Sequence, residues 1–530
     1  MRQPLLRLIL VTAFAISSVP LYAADDAPVV IPRFEITRFD VEGNTLLTPY
    51  AVEKVLQPFT GRDRSFSHVQ MALEALEGEY RRRGYNVVHV TLPEQELNQG
   101  VVRLRVTETR IGQVRVEGNQ AFNEANIRRS LPGLREGQAP DIGRISSSLR
   151  LANENPAKKV ALQLQSTDRD DEINAVLNVS DEKPWKLATA LDNTGNQSSG
   201  KTHLSMQFQH ANIADADQVL SLQYTTTLEK PNQISVYGAG YHIPLYALGD
   251  SIDLFANYSD VDSGSVSAGL FNLQVSGRGT MLGSRYNYNL RRSGDYESKL
   301  IAGLDYKAFQ NNVSLQGLPL GNDVTVYPLS LAYAGSLSMA QGEASFSISA
   351  SRNVPGGPRG GSADFNLARA GASPHYSILR YGAAYTGALP RDWQMRVAVN
   401  GQYSRDALIS GEQFGAGGAS SVRGFQEREI ASDTGYLFNA ELYTPNVCSG
   451  MQTFAAQCRF LAFYDAAHVS SNNALPGELA QASIGSVGIG LRVGVSKNVM
   501  LQMDYGQVID AGVTQKKGDG RLHFRLDMSY

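Results

Sequence analysis

Residues 521–530 read RLHFRLDMSY, and this stretch decides the fold. Leu522, Phe524, Leu526, Met528 and Tyr530 alternate with His523, Arg525, Asp527 and Ser529. Period two gives one apolar and one polar face, as in a half-buried strand. The same pattern recurs upstream. Val487, Ile489, Leu491, Val493 and Val495 alternate with Gly488, Gly490, Arg492, Gly494 and Ser496, and Trp393, Met395, Val397 and Val399 with Gln394, Arg396, Ala398 and Asn400. From Pro184 onward helix periodicity is absent. A soluble sandwich shows the same alternation, but these runs are about ten residues long, the length that crosses a bilayer when tilted. Short turns such as Ser496-Lys497-Asn498 also follow long loops such as Pro355–Pro374 and Ser410–Thr434, the asymmetry of membrane barrels.

The expected fold is therefore an all-β, 16-stranded antiparallel transmembrane β-barrel over residues 183–530, its strands running from one near Trp185 to one near Arg521. An even strand number puts both barrel ends on the periplasmic side, and the terminal aromatic Tyr530 suits an outer-membrane barrel. A barrel of this width keeps a water-filled lumen unless something plugs it.

Composition agrees. Hydrophobic residues make up 42% and charged residues 19%, moderate values that fit a barrel in which every second strand residue faces lipid. No run after the N-terminus reaches the ~18 apolar residues of a spanning helix. The formal net charge of −3 argues against a nucleic-acid partner. Residues 1–23 read as a secretory signal: Arg2 and Arg7, the apolar run Leu8–Ile16, then Leu21-Tyr22-Ala23 before Ala24. The two cysteines, Cys448 and Cys458, therefore pass through an oxidising compartment and are expected to form a structural disulfide. No Cys/His spacing suits zinc, no metal or cofactor is expected, and the eight histidines make no Ser-His-Asp constellation, so no enzymatic activity is expected.

Between signal and barrel lies an internal repeat. Ile36–Asn44 reads ITRFDVEGN and Ile111–Asn119 reads IGQVRVEGN, 75 residues apart. In residues 34–108, Thr48-Pro49 starts a helix with Val52, Val55, Leu56 and Phe59 on one face. A second helix is expected from Ser67, with Gln70 completing a capping box, and Val69, Leu73, Leu76 and Tyr80 as its apolar stripe. Gly84 ends it, and strands are expected at Tyr85–Leu92 and Val101–Val106. Residues 109–182 repeat the order: Ile127 and Leu131, then Ile145, Leu149 and Ala152, then strands Val160–Gln165 and Ile173–Val179.

This βααββ repeat with its shared VEGN resembles tandem POTRA domains, two α+β modules ahead of the barrel. The resemblance implies that an extended substrate adds to the first module between its second helix and second strand, the Ser67 to Leu92 region with Arg81, Arg82, Tyr85 and Val87. Arg81, Arg82 and Arg83 also suit ordinary compensation of the helix dipole.

The loop Ser410–Thr434 contains Phe414-Gly415-Ala416-Gly417-Gly418 and then Val422-Arg423-Gly424-Phe425. The latter resembles the (V/I)RG(Y/F) signature of the outer-membrane translocase and insertase superfamily, which sits on a loop folded into the barrel after the eleventh strand. Phe463-Tyr464-Asp465-Ala466-Ala467 is similar to the family's F-x-D-x-G on the thirteenth strand, with Ala467 in place of glycine. Period two puts Phe463, Asp465 and Ala467 on the lumen side if Phe460, Ala462 and Tyr464 face lipid. The resemblance implies that Arg423 pairs with Asp465, a planar fork on a carboxylate.

Two modules, together with Asn153-Glu154-Asn155-Pro156, resemble the two-partner secretion transporters (TpsB). That family implies a Gram-negative outer-membrane location with periplasmic POTRA modules. It also implies an unfolded, TpsA-like exoprotein (adhesin or haemolysin) as cargo, outer-membrane lipid around the barrel, and the barrel-assembly machinery as a partner in biogenesis. An insertase of the same superfamily is the alternative. Residues 24–33 are too short and proline-broken for the N-terminal plug helix of many relatives, so the VRGF loop is expected to be the main obstruction.

Overall fold

The computed structural model describes residues 32–530 except 97–98, 198–199, 262–264, 269–272, 277, 311–313, 316–317, 320–321, 450–455, 475, 477–478 and 497. The signal segment and most of residues 24–33, and with them the expectation of no N-terminal plug, lie outside the described residues, as does Lys497 of the Ser496–Asn498 turn. The first module apart from Arg82–Val87 is one compact unit; those six residues, the second module and the barrel make another.

In the first module, strands β1 (Arg38–Glu42), β2 (Val88–Thr91) and β3 (Val101–Glu108) form a sheet in the order β1-β3-β2. β1 runs parallel to β3, and β2 antiparallel to it. Helices α1 (Pro49–Leu56) and α2 (Phe66–Arg82) bury Leu56, Val69, Leu76 and Tyr80. Thr48 caps α1 by accepting from the Ala51 N–H at 3.3 Å, with Pro49 at the first helical position.

Three local expectations are corrected. The first strand is split: Phe34–Ile36 pairs with Gly61–Arg64 in a separate ribbon. α2 starts one residue earlier than Ser67, and its entry is held by Ser65, whose Oγ and N–H lie 3.0 and 3.3 Å from His68 Nδ1. Gln70 instead donates to Glu74 one turn on, because the serine that starts the helix lies five residues before it rather than three. Tyr85 and Val87 lie in the turn before β2, which has only four residues.

Both VEGN copies make the same turn. Gly43 and Gly118 have φ of 83° and 84°, and a Cβ on either would strike the carbonyl of Val106 or Val179. Asn44 and Asn119 donate to the carbonyls of Leu47 and Phe122 at 2.9 and 2.8 Å. An acidic residue closing the last strand takes the free turn amides. Glu108 accepts from Thr45 and Leu46 at 2.7 and 2.9 Å, and Asp181 from Gln120, Ala121 and Phe122 at 2.9, 2.9 and 2.8 Å.

The second module has strands β4 (Arg110–Glu117), β5 (Lys158–Ser166) and β6 (Glu172–Asp181) in the order β4-β6-β5, with helices α3 (Glu124–Arg129) and α4 (Ile142–Glu154). Its core gathers Ile111, Phe122, Ile127, Leu131, Ile145 and Leu177.

The barrel is closed and antiparallel. Its strands are β7 (Trp185–Asp192), β8 (His203–Ile213), β9 (Gln218–Thr227), β10 (Ile234–Leu245), β11 (Asp250–Val261), β12 (Arg278–Asn289), β13 (Tyr296–Gln310), β14, β15 (Gly342–Asn353), β16 (Ser377–Leu389), β17 (Trp393–Ser404), β18 (Thr434–Tyr443), β19 (Ala456–Ser470), β20 (Gln481–Val495), β21 (Val499–Asp510) and β22 (Gly520–Ser529). β14 is interrupted at Tyr327: Val324–Val326 and Pro328–Met339 both pair with β13. With that strand counted once there are sixteen, and β22 closes on β7 through Ala188–Asp192 and Arg525–Ser529. The two faces separate as period two demands: Leu304 is 54% exposed to the outside while Asp305 is 7% exposed inside.

A buried polar joint ties the second module to the turn after β8. Lys158 Nζ lies 2.6 Å from Asp217 and 3.0 Å from Asn126, and the lysine side chain is 0% exposed. Tyr246 donates to the same Asp217 oxygen at 2.6 Å, and Asn155 donates to the Ala211 carbonyl at 2.7 Å. Burial pulls the Lys158 pKa down, and Asp217 opposes that shift.

Candidate functional site

The loop between β17 and β18 folds into the barrel as a hairpin, Phe414–Ala416 pairing with Ile430–Ser432. Its apolar residues anchor it. Val422 and Phe425 are fully buried with Leu437, Ala467, Val469, Ile484 and Val508. The Ala467 methyl, standing where the family pattern has glycine, is thus packed into this cluster.

Between Val422 and Phe425, Arg423 is brought onto Asp465. Arg423 Nε and Nη2 lie 2.7 and 2.8 Å from the two carboxylate oxygens, and the Arg423 backbone N–H adds a bond at 3.1 Å. The guanidinium lies 3.6 Å from the centre of the Phe463 ring. Phe460 and Tyr464, by contrast, are exposed on the outer face.

Several partners here carry no sequence signature. Glu441 of β18 lies 2.8 Å from Arg423 Nη1, and Asp504 of β21 lies 3.8 Å away. Asn439 donates to Asp465 and to the Ser421 carbonyl, both at 2.7 Å. His523 Nε2 accepts from the Gly424 N–H at 3.0 Å. Gly506 lets the loop sit against β21: a Cβ there would meet Gly424 N at 2.7 Å and Arg423 C at 2.8 Å. The only available signal for these residues was their polar or small character at lumen positions of their strands. Arg423 thus faces three carboxylates. Burial works against its charge, but bonding and attraction from Asp465 outweigh that and hold the guanidinium firmly protonated.

Nearer the loop's return, Glu427 accepts from the Ala419 N–H at 2.8 Å, and burial pushes its carboxyl up to about 7. A lumen cavity of about 850 Å³ lies beside this residue, lined by Asp192, His203, Gln207, Gln223 and Arg525 among others.

In the first module β2 is a sheet edge. The N–H of its Val90 is taken by Glu77 Oε1 of α2 at 3.0 Å, and the other Glu77 oxygen pairs with Arg81 at 2.9 Å. Arg81 and Arg82 are exposed, and Tyr85 and Val87 half-buried. The two cysteines are joined, with Cα atoms 5.3 Å apart, and Asn446 Oδ1 accepts from both their N–H groups. Among the described residues no cluster of His, Cys, Asp or Glu could hold a metal ion.

Known proteins match this architecture. The model of the haemolysin secretion/activation proteins ShlB/FhaC/HecB matches residues 171–493, and that of the ShlB-type POTRA domain matches residues 34–109. The outer membrane transporter CdiB of Escherichia coli is 25% identical over 423 residues, 78% of this chain and 69% of its own length. The heme/hemopexin transporter protein HuxB of Haemophilus influenzae is 21% identical over 391 residues, 73% of this chain and 68% of its own length. The solved structure of CdiB from Escherichia coli shares the fold, with a TM-score of 0.73 at 20% identity over 96% of this chain and 93% of that one.

Proposed function

This chain belongs to the haemolysin secretion/activation protein family, and from that premise we propose how it handles its cargo. It is an outer-membrane transporter of the two-partner secretion type that carries a partner exoprotein through its barrel, with its POTRA modules in the periplasm. The relatives are named transporters rather than enzymes.

The cargo, an unfolded TpsA-like adhesin or haemolysin, first docks on the first module as an added strand at β2, beside α2. Arg81 and Arg82 on the helix, with Tyr85 and Val87 in the turn leading to the strand, supply side-chain contacts. Glu77 holds the outward N–H of Val90 until a cargo carbonyl replaces it. The chain then passes through the lumen and folds outside, which makes passage one-way. The loop that carries Val422, Arg423, Gly424 and Phe425 forms the movable obstruction, its tip seated on Asp465 and Phe463. Outer-membrane lipid surrounds the barrel, and the barrel-assembly machinery receives it during biogenesis.

The observation that carries this reading is a sixteen-stranded barrel whose own loop folds inside it on a buried charge pair. It is tested by following the large exoprotein encoded beside this chain, with and without the transporter, and by using residues 34–108 as bait. Loss of the exoprotein from the medium, with its N-terminal segment captured by the bait, is expected. Unchanged secretion with a general fall in other barrel proteins would replace transport by the insertase role.

A further inference from the structure

The loop that carries Arg423 has a second charged anchor, at its base. After β17 the chain makes a short turn at Ser410–Glu412, and Glu412 is 2% exposed. One carboxylate oxygen lies 2.7 Å from Lys307 Nζ on β13, the other 3.1 Å from Arg380 Nη2 on β16. Gln402 on β17 donates to the carbonyls of Glu412 and Asp433 at 2.9 and 3.1 Å. Gly411 sits so close to the Phe309 ring of β13 that a Cβ would overlap it.

The base therefore rests on β13, β16 and β17, and the tip on β18, β19, β21 and β22. The signs are opposite. At the tip a loop cation meets wall carboxylates; at the base a loop carboxylate meets wall cations, and their attraction outweighs the burial that would otherwise raise the Glu412 pKa.

The two anchors differ in what release would leave behind. Withdrawing Arg423 leaves Asp465, which is 0% exposed, with no cation, while Glu441 and Asp504 keep Arg396 and Arg492. Withdrawing Glu412 leaves Lys307, whose side chain is 11% exposed, and Arg380, whose side chain is 43% exposed, so one of the two cations is already in reach of water. Uncompensated charge costs less where water can reach it.

We propose that Glu412 is the clasp of the gate and Arg423 its pivot. During passage the base leaves Lys307 and Arg380 while the tip stays on Asp465, and the lumen opens along the β13 to β17 wall. Glu412, Lys307 and Arg380 are positioning residues for the loop. The proposal rests on the transport reading, but its test does not use cargo.

The full chain, with folding verified by heat-dependent gel migration, is reconstituted in planar bilayers. Glu412→Gln is expected to raise the open probability about tenfold, the factor that ~1.4 kcal/mol produces, and Lys307→Gln, which leaves the Arg380 contact, to raise it less. The double variant is expected to add nothing beyond Glu412→Gln, which already breaks the contact to Lys307. Amide exchange at residues 409–413 should quicken in Glu412→Gln while that at 422–425 stays slow. An unchanged open probability in folded Glu412→Gln, or equal quickening at both segments, overturns the proposal and leaves the transport reading standing.

Discussion

The two periplasmic modules share a turn and differ in what their remaining polar residues do. In both, a VEGN glycine takes a left-handed φ, an asparagine closes the turn, and a carboxylate ending the third strand collects the turn amides. Beyond that they part. The second module commits Asn126, Asn155 and Lys158 to a buried joint with Ala211 of β8 and with the turn that follows it and carries Asp217. The first keeps a short edge strand whose outward N–H at Val90 is held by a glutamate side chain rather than by a backbone carbonyl. The repeat keeps the part that makes the fold, and the divergent positions separate a module anchored to the barrel from the one proposed to dock cargo.

The contrast can be broken most forcefully at Lys158. Lys158→Met leaves Asp217 buried without its cation, a loss of about 3–5 kcal/mol. Hydrogen exchange in α4 and β5 should accelerate, and the added change Asp217→Leu should recover much of the loss. If Lys158→Met leaves exchange in α4 and β5 unchanged, the joint is not what anchors this module.

The shared turn is tested next. Glu108→Ala and Asp181→Ala each strip two or more turn amides of their acceptor, at about 1–3 kcal/mol. Matching acceleration of exchange at residues 44–48 and 119–123 is expected. A clear inequality would mean that the two turns are not equivalent.

Glu427 sharpens the comparison by setting the joint, where a buried charge has an ion partner, against a loop carboxylate raised by burial. Its pKa in the packed loop is about 7, above the ordinary 4.5. The packed loop therefore binds this proton more tightly than an open one. Its stabilisation is full below pH ~4.5 and is lost as pH rises through about 7. Channel open probability should be higher at pH 8 than at pH 6, and Glu427→Gln should flatten that dependence. An unchanged slope in the variant removes Glu427 from the loop's balance.

The smallest effect is expected in the first module. Glu77→Ala frees the Val90 N–H for a cargo carbonyl and should tighten binding of the cargo's N-terminal segment a few-fold, on the order of 1 kcal/mol. Weaker binding, measured by titration of the full chain, would mean that Glu77 contacts the cargo rather than guarding the edge.

Much of this was determined by the sequence alone. Period two marked the barrel strands from Trp185 to Arg521, because lipid outside and water inside enforce alternation on every strand. The repeat marked both modules, and the resemblance pointed to Arg423 and Asp465 as partners. Other features depended on tertiary structure. The interruption of β14 at Tyr327 is one of them: both of its pieces are fixed by pairing with β13. Glu441, Asn439, Asp504 and His523 gather around Arg423, and Lys307 and Arg380 around Glu412, from strands far apart in the chain. Alternation along one strand says which way a side chain points. It does not say at what height, or opposite which strand, because those follow from the stagger with which the whole sheet closes.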